Sequence, residues 1–246
     1  MPETLLLQQG EGYALFGPEY IAAVVCSAGL IAVLVAVYRK LPSGFGWKSP
    51  RRTFFLVLAL IALARLASSD ALIIASGTMI PIFWPLHICN FCEYLALAYA
   101  LTGNRHVADI FYPWAMVGGI SAIFAGAWMS YAPLFSWASV GGYLEHALLV
   151  AMALVTPLDE GYCPSYRTLY KPALAAIAGG LFFKWFDDVF QTNFFFVRVP
   201  QEGSPFYILF DAFGDPGFLV PYLAIAVGLW CSFIALGRAL HRRLVR

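Results

Sequence analysis

The sequence predicts an all-α polytopic membrane protein: a seven-transmembrane-helix bundle with its N-terminus outside and its C-terminus cytoplasmic. Three observations predict it. Hydrophobic residues make up 61% of the 246-residue chain and charged residues only 12%. That is about half the charged share of a soluble domain, too little polar surface to cover a water-soluble globule. Second, apolar runs recur along the chain at the roughly 20-residue length that a span requires. Third, the basic residues gather in alternate connections.

The spans are expected at about 20–38, 53–75, 82–101, 108–131, 138–156, 171–193 and 216–240, forming one integral membrane domain over 1–246. The polar stretch from Arg39 to Arg52 separates the first two. Pro81, Pro133, Pro157 and the 197–216 stretch mark other joints, since proline and glycine clusters punctuate regular structure. The 1–2 connection holds Arg39, Lys40, Lys48, Arg51 and Arg52. The 3–4 connection holds Arg105, the 5–6 connection Arg167 and Lys171, and the tail Arg238, Arg242, Arg243 and Arg246. Of the 15 lysines and arginines, only Arg65, Lys184 and Arg198 lie elsewhere. The positive-inside rule therefore puts these connections in the cytoplasm. The 197–216 connection is expected to be an ordered outer loop. Pro200, Gly203, Pro205, Gly214 and Pro216 turn it, and Phe206 to Phe210 are apolar enough to dip into the interface or cover a cavity mouth.

Several classes are excluded. A net charge of +1 offers nothing to nucleic acid. Repeats and low-complexity tracts are not seen. Residues 1–20 lack a basic n-region and an A-x-A site, so a cleaved signal peptide is not expected. Five scattered cysteines are an odd number and no disulfide framework. No cofactor and no metal are implied.

Ionisable groups within spans are rare and usually face the bundle interior. Here they share a depth. With a rise of about 1.5 Å per residue, Asp70 in the second span, His87 and Cys89 in the third, and Glu145 and His146 in the fifth all fall in the outer half. Lys184, Asp187, Asp188 and Gln191 of the sixth join them, at i, i+3, i+4 and i+7 on one stripe. One shared polar cavity accounts for this. The plainer reading is that groups near span ends snorkel or cap, and Arg65 reads as structural, neutralised by Glu93 or Asp70.

Within FWPLHICNFCEYL, Asn90 and Glu93 share a helix face with Leu86. His87 and Cys89 are i,i+2 neighbours, which do not face each other on a helix. A thiol–imidazole pair therefore needs a histidine from another helix, and His146 is the other histidine in a span. Cys89-Asn90-Phe91-Cys92 spells C-x-x-C, but no βαβ pattern surrounds it, so membrane packing is the simpler role. Cys89, Cys92 and His87 point apart and make a poor metal set.

The order of these features resembles the YwaF-like integral membrane proteins, to which eukaryotic transmembrane protein 164 is related. The resemblance covers roughly 50–225. It rests on Pro85-Leu86-His87-Ile88-Cys89, on His146, on Tyr170-Lys171-Pro172, on Thr192-Asn193-Phe194-Phe195-Phe196 and on the 209–216 run Leu-Phe-Asp-Ala-Phe-Gly-Asp-Pro. It implies a phospholipid acyltransferase with a cysteine nucleophile and a histidine, or a more distant ester hydrolase. His146 and His87 match the family's histidines. Leu86 stands where the eukaryotic branch has its cysteine, which leaves the nucleophile open, with Cys89, one turn along, as the candidate substitute. The family's G-P-W-P is here Gly214-Asp215-Pro216-Gly217.

Three functions remain open at this point. The first is a lipid acyltransferase or ester hydrolase with Cys89, His146 and His87 catalytic. Asn90, Glu93, Glu145, Asp187, Asp188 and Asn193 would then line the supporting polar cavity, with Asp188 or Glu145 orienting the imidazole. The second is a non-catalytic accessory subunit of a larger membrane complex. The third is a small-solute or proton-coupled transporter. The expected partners are membrane lipids and other membrane subunits, and the expected location is the bacterial inner membrane.

Overall fold

A computed structural model describes residues 12–43, 49–77, 79–125, 129–130, 132–159, 161–201 and 204–244. Lys48, Gly203, Arg246 and residues 126–128 and 131 of the expected fourth span lie outside the described residues. The chain is helical, with no strand among the described residues. We number the helices α1 (Pro18–Lys40), α2 (Pro50–Ala75), α3 (Ile88–Thr102), α4 (Arg105–Ala125), α5 (Trp137–Val155), α6 (Tyr170–Phe190), α7 (Tyr207–Phe213) and α8 (Leu219–Leu244). Five of them, α1, α2, α4, α5 and α8, are long and apolar enough to cross a membrane.

The other two expected spans differ in instructive ways. The third, expected from 82, becomes α-helical only at Ile88 and has 15 residues. Pro81 to Phe83 form a single 3-10 turn instead, and Trp84 is extended. Proline at 85 explains this, because its ring disfavours helical geometry in the residue before it. The sixth, α6, is 21 residues long but carries Lys171, Lys184, Asp187 and Asp188. Helix α7 lies inside the expected outer loop.

α5 is the innermost helix, packed against α1, α2, α3 and α4. Its sequence permits this, since small residues let neighbouring backbones close up in membrane bundles. Gly141, Gly142, Ala147, Ala151 and Ala153 are all buried. The same holds on α4, where a Cβ added at Gly119 would sit 2.6 Å from a Val150 methyl. α8 packs on α4 and on the 156–158 turn. The outward faces of α1, α2, α6 and α8 present Val25, Val33, Leu60, Leu181, Trp185 and Val220 among other exposed apolar residues.

The bundle has two distinct ends. At one, Tyr20 donates to the Phe124 carbonyl at 2.7 Å and Trp137 to Ser69 at 3.1 Å. At the other, Arg52 donates to the Ala100 carbonyl at 2.7 Å, Tyr99 to Asp159 at 3.1 Å, and Lys171 to Asp109 at 2.5 Å. A cavity of about 40 Å³ lies at this second end, lined by Arg51, Arg52, Tyr99 and Asp159 among others.

Candidate thiol–imidazole site

Three helices meet at the candidate site. Cys89 is in the first turn of α3, while Glu145 and His146 are adjacent on α5. The Cys89 sulfur, a Glu145 carboxylate oxygen and a His146 ring nitrogen all lie within 4.8 Å of one another. Glu145 and His146 are each only 3% exposed.

Each α5 side chain is set by the glycine one turn before it. The His146 Nδ1 lies 2.7 Å from the Gly142 carbonyl. A carbonyl only accepts, so Nδ1 carries the proton and the neutral ring holds its lone pair on Nε2. Gly141, four residues before Glu145, opens the way for Arg65. A Cβ there would meet the Arg65 Cδ at 3.2 Å. Through that gap the α2 guanidinium forms an ion pair with the Glu145 carboxylate. This corrects the expected pairing of Arg65 with Glu93 or Asp70, both of which remain within its electrostatic reach. The orienting acceptor for His146 is likewise the Gly142 carbonyl rather than a carboxylate. The Gly-Gly pair one turn ahead of Glu-His was the available signal.

Glu93, one turn past Cys89 on α3, has no exposed surface, and neither carboxylate oxygen has a hydrogen-bond partner. Asn90 has a local task. Its Oδ1 accepts the His87 backbone N–H at 3.0 Å and so caps α3. His87 itself is extended, and its ring packs edge-on against Phe194 with centroids 4.9 Å apart. It is not one of the three groups that converge at the pair.

The remaining expected cavity residues build the turn after α6 instead. Asp187 is fully buried and accepts from the Thr192 hydroxyl at 2.6 Å. Asn193 donates to the Val199 carbonyl at 2.8 Å and accepts from the Arg198 N–H at 3.2 Å. Asp188 points outward, its side chain 55% exposed, and pairs with Arg198 at 3.2 Å. It therefore has no hold on the imidazole. Lys184 reaches Asp215 at 2.6 Å, tying α6 to the segment before α8.

A bundle of apolar helices around a buried imidazole and carboxylate and a half-buried thiol and guanidinium defines an integral membrane protein with a polar centre. More specifically, the TMEM164 family model matches residues 15–236, and the chain belongs to that family. No curated protein and no solved structure matches.

Proposed function

We propose that the protein is a membrane-embedded, thiol-dependent acyltransferase or ester hydrolase acting on lipid esters, with Cys89 as nucleophile and His146 as base. The observation that carries this reading is the approach of the Cys89 sulfur to within 4.8 Å of a His146 ring nitrogen from a neighbouring helix. Nucleophile and base on rigid elements, with the base fixed by a third group, is the general arrangement for covalent acyl transfer.

In this mechanism the Nε2 lone pair of His146 takes the Cys89 proton as sulfur attacks the ester carbonyl carbon. The tetrahedral intermediate collapses with cleavage of the acyl–oxygen bond, leaving an acyl thioester on Cys89. The imidazolium returns its proton to the departing alkoxide, releasing a lysolipid. An acceptor hydroxyl, from a second lipid or from water, then attacks the thioester and regenerates the thiol. Arg65, within electrostatic reach of Cys89, attracts the negative charge that develops on the sulfur. In this reading His87, the residue before α3, contacts the substrate's ester end.

The same reading takes α3 and α6 as two further spans, the short α3 completed by the 81–87 segment. It takes the basic end as cytoplasmic in a bacterial inner membrane, with the site in the outer half of the bilayer. The test is acyl trapping. Protein in lipid nanodiscs, supplied with a phospholipid bearing a radiolabelled acyl chain, is expected to retain hydroxylamine-labile label. Cys89→Ala is expected to retain none, and Cys92→Ala to retain it. His146→Gln is expected to slow acylation by about 10²–10⁴-fold, the usual contribution of a positioned base. Full lipid turnover by Cys89→Ala would end the proposal. A stoichiometric membrane partner without turnover would favour an accessory subunit.

A further inference from the structure

We propose that Cys89, Glu145 and His146 also form a binding site for a thiophilic divalent cation, Zn²⁺ in the first place, whose occupancy excludes acyl transfer. The exclusion clause rests on the proposed function; the binding itself does not.

Zinc takes thiolate, imidazole and carboxylate, usually four ligands at tetrahedral positions. Here one of each converges within 4.8 Å, so small rotamer shifts are enough to close on one ion. Two further features point to a ligand. Glu145 is 3% exposed, one oxygen is engaged by Arg65, and its Oε1 has no hydrogen-bond partner. A buried acceptor left unsatisfied is costly, and a cation at the cluster would satisfy it. Second, the His146 Nδ1 is bonded to the Gly142 carbonyl. Metal-binding histidines are held in this way, with the far nitrogen donating and the near one presented to the metal.

The charges also balance. Binding converts the Cys89 thiol to a thiolate and releases its proton to solvent. The thiolate and the Glu145 carboxylate then offset the two charges of the dication. The fourth position stays open for water. A thiolate bound to zinc gives up part of its charge to the metal and is a weaker nucleophile toward an ester, and an imidazole bound through Nε2 can neither accept a proton nor return one to the leaving alkoxide. Metal and acyl chemistry therefore compete for the same two atoms.

The experiment uses the full chain in detergent with Cys26, Cys163 and Cys231 replaced by serine. Co²⁺ is expected to give a thiolate-to-metal charge-transfer band saturating at one ion per protein, which excess Zn²⁺ erases. The band is expected to vanish in Cys89→Ser and to persist in Cys92→Ser. X-ray absorption on the zinc-loaded protein with Cys89 intact, which needs no site variant, is expected to show one sulfur and otherwise nitrogen or oxygen ligands. No band, a band surviving Cys89→Ser, or a shell with no sulfur or several would overturn the site. Zinc that binds but leaves acyl trapping unchanged would overturn the exclusion. Failure to trap any acyl chain, with the cobalt band intact, would count against the enzyme reading alone.

Discussion

Arg65 and Glu145 illustrate how an expensive pair of charges is kept inside an apolar bundle. Their side chains are 12% and 4% exposed, and the ion pair joins α2 to α5. Removing one partner of a buried pair strands the other charge and costs about 3–5 kcal/mol, whereas replacing both with apolar residues is often neutral. Arg65→Met and Glu145→Leu are therefore each expected to lower unfolding stability in mixed micelles by about that amount. The double variant is expected to recover most of it, because neither member of the ion pair is left without the other. Additive losses across the cycle would show that the two side chains do not act as a pair. A smaller version of the same logic applies at Thr192. Its hydroxyl donates to the buried Asp187, whose Oδ2 has no partner already. Thr192→Val is expected to cost about 1–3 kcal/mol, the penalty of a buried acceptor left unmade.

The turn after α6 is a strained joint. Gln191, Phe195 and Phe196 all have positive φ, at 54°, 56° and 55°, which L-residues avoid at about 1–2 kcal/mol each. The strain persists because Asp187, Thr192, Asn193 and Arg198 over-determine the turn through the hydrogen bonds described above. Gln191 stands at the left-handed position that closes a helix, where glycine is the preferred residue. Gln191→Gly is thus expected to stabilise, by about 1 kcal/mol, in a thermal melt where most substitutions lower the midpoint. Gly237 on α8 predicts the reverse. A Cβ there would lie 2.6 Å from the Tyr112 hydroxyl and 2.8 Å from a Pro164 ring carbon. That hydroxyl already donates to the Phe233 carbonyl one turn earlier at 2.6 Å. Gly237→Ala is expected to separate α8 from α4, costing about 1–3 kcal/mol as overpacking does, again read from the melt. The positions of α1, α2, α4, α5 and α8 could be read from apolar runs alone, since hydrophobic length is the property lipid selects. The start of α3 could not, because an apolar stretch has the same composition whether it forms a 3-10 turn or a helix, and only Pro85 hinted otherwise. The meeting of Cys89 with His146 followed partly from i,i+2 geometry. The partners of Arg65, Asp187 and Asn193 did not follow, because they depend on how far each helix is rotated about its axis. That rotation is set by close contacts such as Gly141 with Arg65.

The distribution of charge gives the molecule its direction. Arg39 and Lys40 end α1, Arg51 and Arg52 begin α2, Arg105 begins α4, Lys171 begins α6, and Arg242 and Arg243 end α8. The hydrogen bonds of Arg51 to Leu41, Arg52 to Ala100 and Lys171 to Asp109 place these groups at one end of the bundle. The ion pairs of Lys184 with Asp215 and Arg198 with Asp188 mark the opposite end. Lysine and arginine near span ends are retained on the cytoplasmic side, so the whole bundle is expected to stand with its arginine-rich end inside. In a background with all five native cysteines replaced, a single cysteine is placed at position 45, between α1 and α2, or at the exposed Asp211 of α7. A membrane-impermeant maleimide added to intact cells is expected to label position 211 and to spare 45. After permeabilisation, both are expected to react. Labelling of 45 in intact cells would reverse the orientation. It would also move the Cys89–His146 pair, whose histidine is nine residues along α5 from its start and so roughly 13 Å deep, from the outer half of the membrane to the inner.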